Sequence, residues 1–128
     1  MADQTDLARE LIGLARDDRA AAAALLDVGG VPDAIVGFHS QQAVAKALKA
    51  VLAAASADFP FTHNIALLQQ LCDDAGIEVP ASLGDADLLT PYGVALRYGT
   101  RSPGTLERRA SLELADTAVA WAERILDD

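Results

Sequence analysis

Four polar side chains recur along one stretch of the chain: His39, Gln42, Lys46 and Lys49, spaced by three, four and three residues. On an α-helix they fall within about 80° of one another, on one face. An imidazole, an amide and two ammonium groups so arranged make a donor-rich surface suited to phosphate or to a carboxylate-bearing partner. The same stripe reads equally well as an ordinary solvated face. Its charge favours the first reading, because the only two lysines of a chain with net charge −9 both lie here.

A second cluster lies late in the chain: Tyr92, Arg97, Tyr98 and Arg101. Arginine presents a planar donor fork to phosphate, and either tyrosine can stack on a base. Arg97 can also simply offset the negative C-terminal end of a helix. Residues 97–109 are the one net-basic stretch, with Arg97, Arg101, Arg108 and Arg109 against Glu107, whereas residues 59–96 carry five acids and no base. The remaining candidates read as structural. His63 follows Thr62 at a helix start and reads as a capping or packing residue. Cys72 lies on an apolar helix side; as the single cysteine it excludes an internal disulfide and a cysteine zinc site. Neither histidine has Cys, Asp or Glu at ligand spacing, so no metal site is expected. There is no glycine-rich phosphate loop and no nucleophile elbow. Asp73-Asp74 and the Asp85/Asp87 pair read as solvated acids.

The elements that must position these groups are helical. The chain has 128 residues, 52% apolar and 23% charged, with 27 alanines but only 5% aromatics. Those proportions suit one soluble all-α domain over residues 1–128 and disfavour a β-sandwich. No apolar run is long enough to span a membrane, and the acidic start lacks a secretory layout, so a cytoplasmic location is expected. Hydrophobic spacing and turn signals predict five helices, at about Thr5–Asp27, Asp33–Ala55, Asn64–Ala75, Asp85–Tyr98 and Thr105–Leu126. The first presents Leu7, Leu11, Leu14, Ala22 and Leu25 as its apolar stripe. The second buries Val44, Ala47, Leu48, Val51, Leu52 and Ala55 opposite the polar quartet. Thr62 is the expected N-cap of the third, and Pro91 breaks the fourth near Leu89-Thr90. Short loops imply an up-and-down antiparallel bundle of four to five helices. Alanine faces bury little area each, so the chain is expected to form a homodimer through the first or second helix.

The run from Gly37 to Ala50, with Phe38-His39-Ser40-Gln41-Gln42-Ala43 and Lys46-Ala47-Leu48-Lys49, resembles the signature helix of the HEPN domain family. Thr62-His63 with Leu67-Leu68, and Tyr92 with Arg97-Tyr98, match later elements of that family in order and spacing, over residues 5 to 125. The resemblance implies a bundle of four to five helices, usually a homodimer. Many members sit beside a minimal nucleotidyltransferase; several are ribonuclease toxins of toxin–antitoxin pairs, and others have been proposed to bind nucleotides. The ribonuclease members carry an arginine followed four to six residues later by histidine, and here no histidine follows His63. Without that imidazole there is no evident general acid or base for cleaving a phosphodiester. A glutamate common before the signature lysine is replaced by Ala45. The expected function is therefore a non-catalytic HEPN-type domain that binds a nucleotide such as ATP, or another phosphate-bearing ligand, beside a nucleotidyltransferase partner. The site residues are His39, Gln42, Lys46, Lys49, Tyr92, Arg97, Tyr98 and Arg101, with no catalytic residue, metal or cofactor; RNA is not favoured. The alternatives are a ribonuclease toxin and a pure protein-interaction module.

Overall fold

The computed structural model describes residues 4–95 and 106–127. Among the described residues there are five α-helices and no strand, the all-α bundle that composition and periodicity predict. They are α1 (Gln4–Leu25), α2 (Asp33–Ala54), α3 (Ile65–Asp74), α4 (Tyr92–Ala95) and α5 (Arg108–Asp127). A 3-10 turn, Ala81–Leu83, lies ahead of the expected fourth helix, and a second, Ala86–Leu89, replaces its front; the α-form appears only after Pro91. The last residues of the expected helix, 96–98, lie outside the described residues.

The path of the chain follows from its long-range contacts. α1 and α2 are antiparallel: Asp18 meets His39 and Lys46 near mid-helix. Residues 55–64 climb back beside α2, bringing Phe61 to Lys49 and His63 to Gln41. α3 then descends, and residues 75–95 return upward past it, with Leu83 against Gln69, Thr90 against Ile65 and Tyr92 against Gly37. α5 starts where α2 starts, Arg108 on Asp33, and ends beside α1, where Arg16 and Arg19 flank Glu123. α2 is therefore enclosed on nearly every side, as its high apolar content requires.

The buried face of α1 is not the one its leucines predict. Ala8, Ile12, Ala15 and Ala22 are buried, whereas Leu7 and Leu14 are exposed and Leu11 only packs on the rim of the core. The inward face is turned by about 90° from the leucine stripe. Small side chains decide this. α2 brings Ala43, Ala47 and Ala50, all buried, to the side that meets α1, and alanine on alanine lets the two axes approach closely. On α5, Ser111, Ala115, Val119 and Ala122 join Ala118 and Trp121 inside, while Leu114 and Ile125 flank them. Ala55 is exposed, just past the end of α2.

The start of α3 also differs from expectation. Asn64, not Thr62, is its N-cap, accepting from Leu67 N, and Thr62 Oγ1 instead accepts from Asn64 N. Thr90 Oγ1 and Asp87 Oδ1 accept the amides of Ile65 and Ala66. Asp87, read from sequence as a solvated acid, thus satisfies a helix terminus from the returning strand of chain.

Candidate functional site

α2 has one side that is not fully covered, and the polar quartet occupies it. His39 and Lys46 are part-exposed; Gln42 and Lys49 are largely buried. The band is bordered by α1 on one edge and by residues 55–64 on the other. Both borders supply side chains that the sequence did not nominate.

At the α1 edge stands Asp18. Its Oδ2 accepts from Lys46 Nζ at 2.6 Å, and its Oδ1 lies 3.0 Å from His39 Nδ1. One carboxylate therefore neutralises Lys46 and orients the imidazole, leaving Nε2 as the histidine nitrogen free of that contact. Phe38 meets the His39 ring edge-on, with centroids 5.3 Å apart. A sequence signal for Asp18 existed: it lies on the leucine stripe of α1, and a charge on an apolar stripe calls for a partner.

At the other edge, Lys49 is only 9% exposed and has no carboxylate or hydrogen-bond partner among the described residues. Its ammonium lies 5.8 Å from the centroid of the Phe61 ring, which is 98% exposed. Burial, and secondarily the nearby Lys46 charge, hold the Lys49 pKa below the ordinary lysine value. The segment carrying Phe61 is anchored from within: Gln41, fully buried, donates from Nε2 to the His63 carbonyl at 2.7 Å, and Gln42 Nε2 donates to Gln41 Oε1 at 2.7 Å. Gln42 is thus engaged inside the protein. His63 packs edge-on to Phe61 at 6.0 Å.

The late cluster is placed differently. Tyr92 is 2% exposed, its ring lies against Gly37, and its hydroxyl donates to the Leu106 carbonyl at 3.3 Å. Its ring is a core element, so the expectation that it stacks on a ligand is corrected: neither face is open. Gly93 meets Gln41 in the same way. Gly37 is turned about 160° around α2 from His39 and about 120° from Lys49, so Tyr92 packs away from the His39 edge of the band. Arg97, Tyr98 and Arg101 lie outside the described residues. Of the basic stretch, Arg108 binds Asp33 at 2.8 Å and donates to the carbonyls of Leu25, Leu26 and Val31. It closes the C-terminal end of α1. Arg109 makes a long exposed pair with Asp27 at 3.7 Å.

Among the described residues no group of His, Cys, Asp and Glu is arranged to hold a metal ion. Cys72 is buried, and desolvation with the Asp73 charge pushes its thiol up to about 12, which leaves it unreactive. One cleft lies at the far end of the bundle, between Thr5, Arg9, Val51, Ala55, Ile77 and Ile125. No described helix is long and apolar enough to cross a membrane.

No curated protein and no solved structure matches the chain. The family model of the HEPN domain matches residues 8–128, from the first turns of α1 through α5. That match covers nearly the whole chain, and the chain belongs to the HEPN domain family.

Proposed function

We propose that this HEPN domain binds a nucleotide or another small phosphate-bearing ligand on the polar band of α2, and that it does so without cleaving it. The observation that carries this reading is Lys49: a mostly buried cation with no anion of its own among the described residues, in a protein with nearly twice as many acids as bases. Burying an unpaired charge costs stability, and an incoming phosphate offsets that cost. The Lys46 ammonium borders the same band and serves as a further donor, with the His39 ring beside it. Arg97, Tyr98 and Arg101 enter the proposal as a second set of contacts. The absence of any histidine after His63 removes the imidazole on which the family's ribonuclease motif depends.

The partner in this reading is a nucleotidyltransferase, and the domain works as a homodimer in the cytoplasm. Leu7 and Leu14, one heptad apart and exposed on α1, support self-association through that helix. Light scattering at micromolar concentration should give twice the monomer mass, and Leu14→Glu should return it to the monomer.

Calorimetry with ATP, GTP and inorganic tripolyphosphate tests the activity. Binding of at least one, lost in Lys49→Ala, is the expected result; binding of none overturns the reading. Arg97→Ala added to Lys46→Ala assigns the late cluster. A further loss beyond the single variant puts Arg97 on the same ligand, and no further loss removes it from the site.

A further inference from the structure

Phe61 is the most exposed large apolar side chain described, and nothing in the packing of the bundle requires it there. Two residues earlier, Phe59 packs against the core and supplies the local hydrophobic anchor. Phe61 instead stands in solvent beside the Lys49 ammonium. Yet its backbone is well held: Pro60 restricts the chain before it, and the buried Gln42–Gln41 relay fixes the His63 carbonyl two residues after it. An aromatic ring presented to water on a braced loop, next to a cation lacking its anion, is the arrangement used to take a flat π-system and a phosphate together.

We infer that Phe61 is a stacking platform for the base of the bound nucleotide, whose phosphate then lies on Lys49. The inference rests on the nucleotide-binding reading above and narrows it from any phosphate-bearing ligand to one with a nucleobase. One ring is a single stacking surface, and it tolerates any base, because every base has a π-face. The surrounding charge limits the length of the ligand. The chain has net charge −9, and of the five acids in residues 59–96 Asp87 stands at the start of α3, which disfavours an extended polyanion there. A mononucleotide fits this electrostatic setting and a long RNA does not. The lowered pKa of Lys49 agrees with an ammonium poised to gain from an anion.

The test compares ATP, inorganic tripolyphosphate and a five-residue oligoadenylate by calorimetry on wild type, Phe61→Ala, Phe61→Trp and Lys49→Ala. Because Phe61 is exposed, its variants should melt with the wild type. The expected result is about a tenfold loss of ATP affinity in Phe61→Ala, with tripolyphosphate binding unchanged and Phe61→Trp equal to wild type or tighter. Lys49→Ala should weaken both ligands. Unchanged ATP affinity in Phe61→Ala, with tripolyphosphate still bound, overturns the platform while leaving the phosphate site standing. Should Phe61→Ala instead break self-association without touching ATP, the ring belongs to a protein contact and the inference fails. Oligoadenylate binding much tighter than ATP would overturn the limit to one nucleotide. If wild type binds none of the three, it is the underlying reading that falls.

Discussion

Lys46 and Lys49 stand three residues apart on the same face of one helix, and the fold treats their charges in opposite ways. Lys46 is given Asp18 at 2.6 Å, and the same carboxylate also holds His39. Lys49, more deeply covered, is given only the ring of Phe61. The first arrangement is self-sufficient and would persist with no ligand. The second is incomplete, and incompleteness in a mostly buried cation is a more specific pointer to a ligand than positive charge alone. Spacing on a helix brings donors together; which of them is free to act depends on what neighbouring elements contribute.

The sharpest way to break this contrast is to remove the carboxylate. Asp18→Ala leaves a part-buried lysine and a histidine without their partner, and should lower stability by about 2 kcal/mol in chemical denaturation. It should at the same time free Lys46 and strengthen tripolyphosphate binding. A loss of stability with no gain in binding would mean that Lys46 does not face the ligand.

Lys49→Met should do the reverse. Replacing an unpaired, desolvated ammonium by an apolar chain of similar length should raise stability by about 1 kcal/mol while abolishing phosphate binding. A lysine with a purely structural role would give no gain in stability. The pH profile carries the same sign. Folded Lys49 binds its proton less tightly than the unfolded chain does, so between its lowered pKa and the ordinary 10.5 the unfolded state holds more protons and stability rises with pH. Below the lowered pKa the cost of the buried charge is fully present. Phosphate affinity runs the other way, because only the ammonium binds: it should fall as pH rises through the lowered value, before an ordinary lysine would titrate. Lys49→Met should remove the stability rise.

Much of this was legible in the sequence, and the rest was not for identifiable reasons. Helices α1, α2, α3 and α5 follow from periodicity and turn residues because each is long or well punctuated. The polar quartet follows from spacing alone. The inward face of α1 did not, because alanine and leucine both count as apolar, and close approach of α2 selected the smaller. An aromatic near arginines invites stacking, which makes Tyr92 a candidate from sequence; the constraint that buries it is Gly37, whose added Cβ would lie 2.3 Å from the tyrosine ring. Asp18 and Phe61 border the band from segments over twenty and over ten residues distant from the lysines they meet. Only tertiary structure joins them. Arg97, Tyr98 and Arg101, beyond the described residues, keep the status that sequence gives them.

The smallest expected effect separates stability from binding at the same end of α2. Ser56 has φ of 56°, in the left-handed region, and sits where the helix is closed by Ala57 N donating to the Leu52 carbonyl at 2.9 Å. Such a closing position favours glycine, as Gly76 at φ 78° illustrates after α3. Ser56→Gly relieves about 1 kcal/mol of backbone strain, and the added freedom of the unfolded chain returns part of it. The net gain should be about 0.5 kcal/mol, read as a small rise in Tm. Ser56 contacts neither Lys49 nor Phe61 in any described interaction, so ATP affinity should not move. Ser56→Gly and Lys49→Met then both stabilise the protein, one with the ligand retained and the other with it lost. If the two variants lost affinity alike, weaker binding would be a consequence of a stiffer α2 terminus, and the contrast between the lysines would lose its functional meaning.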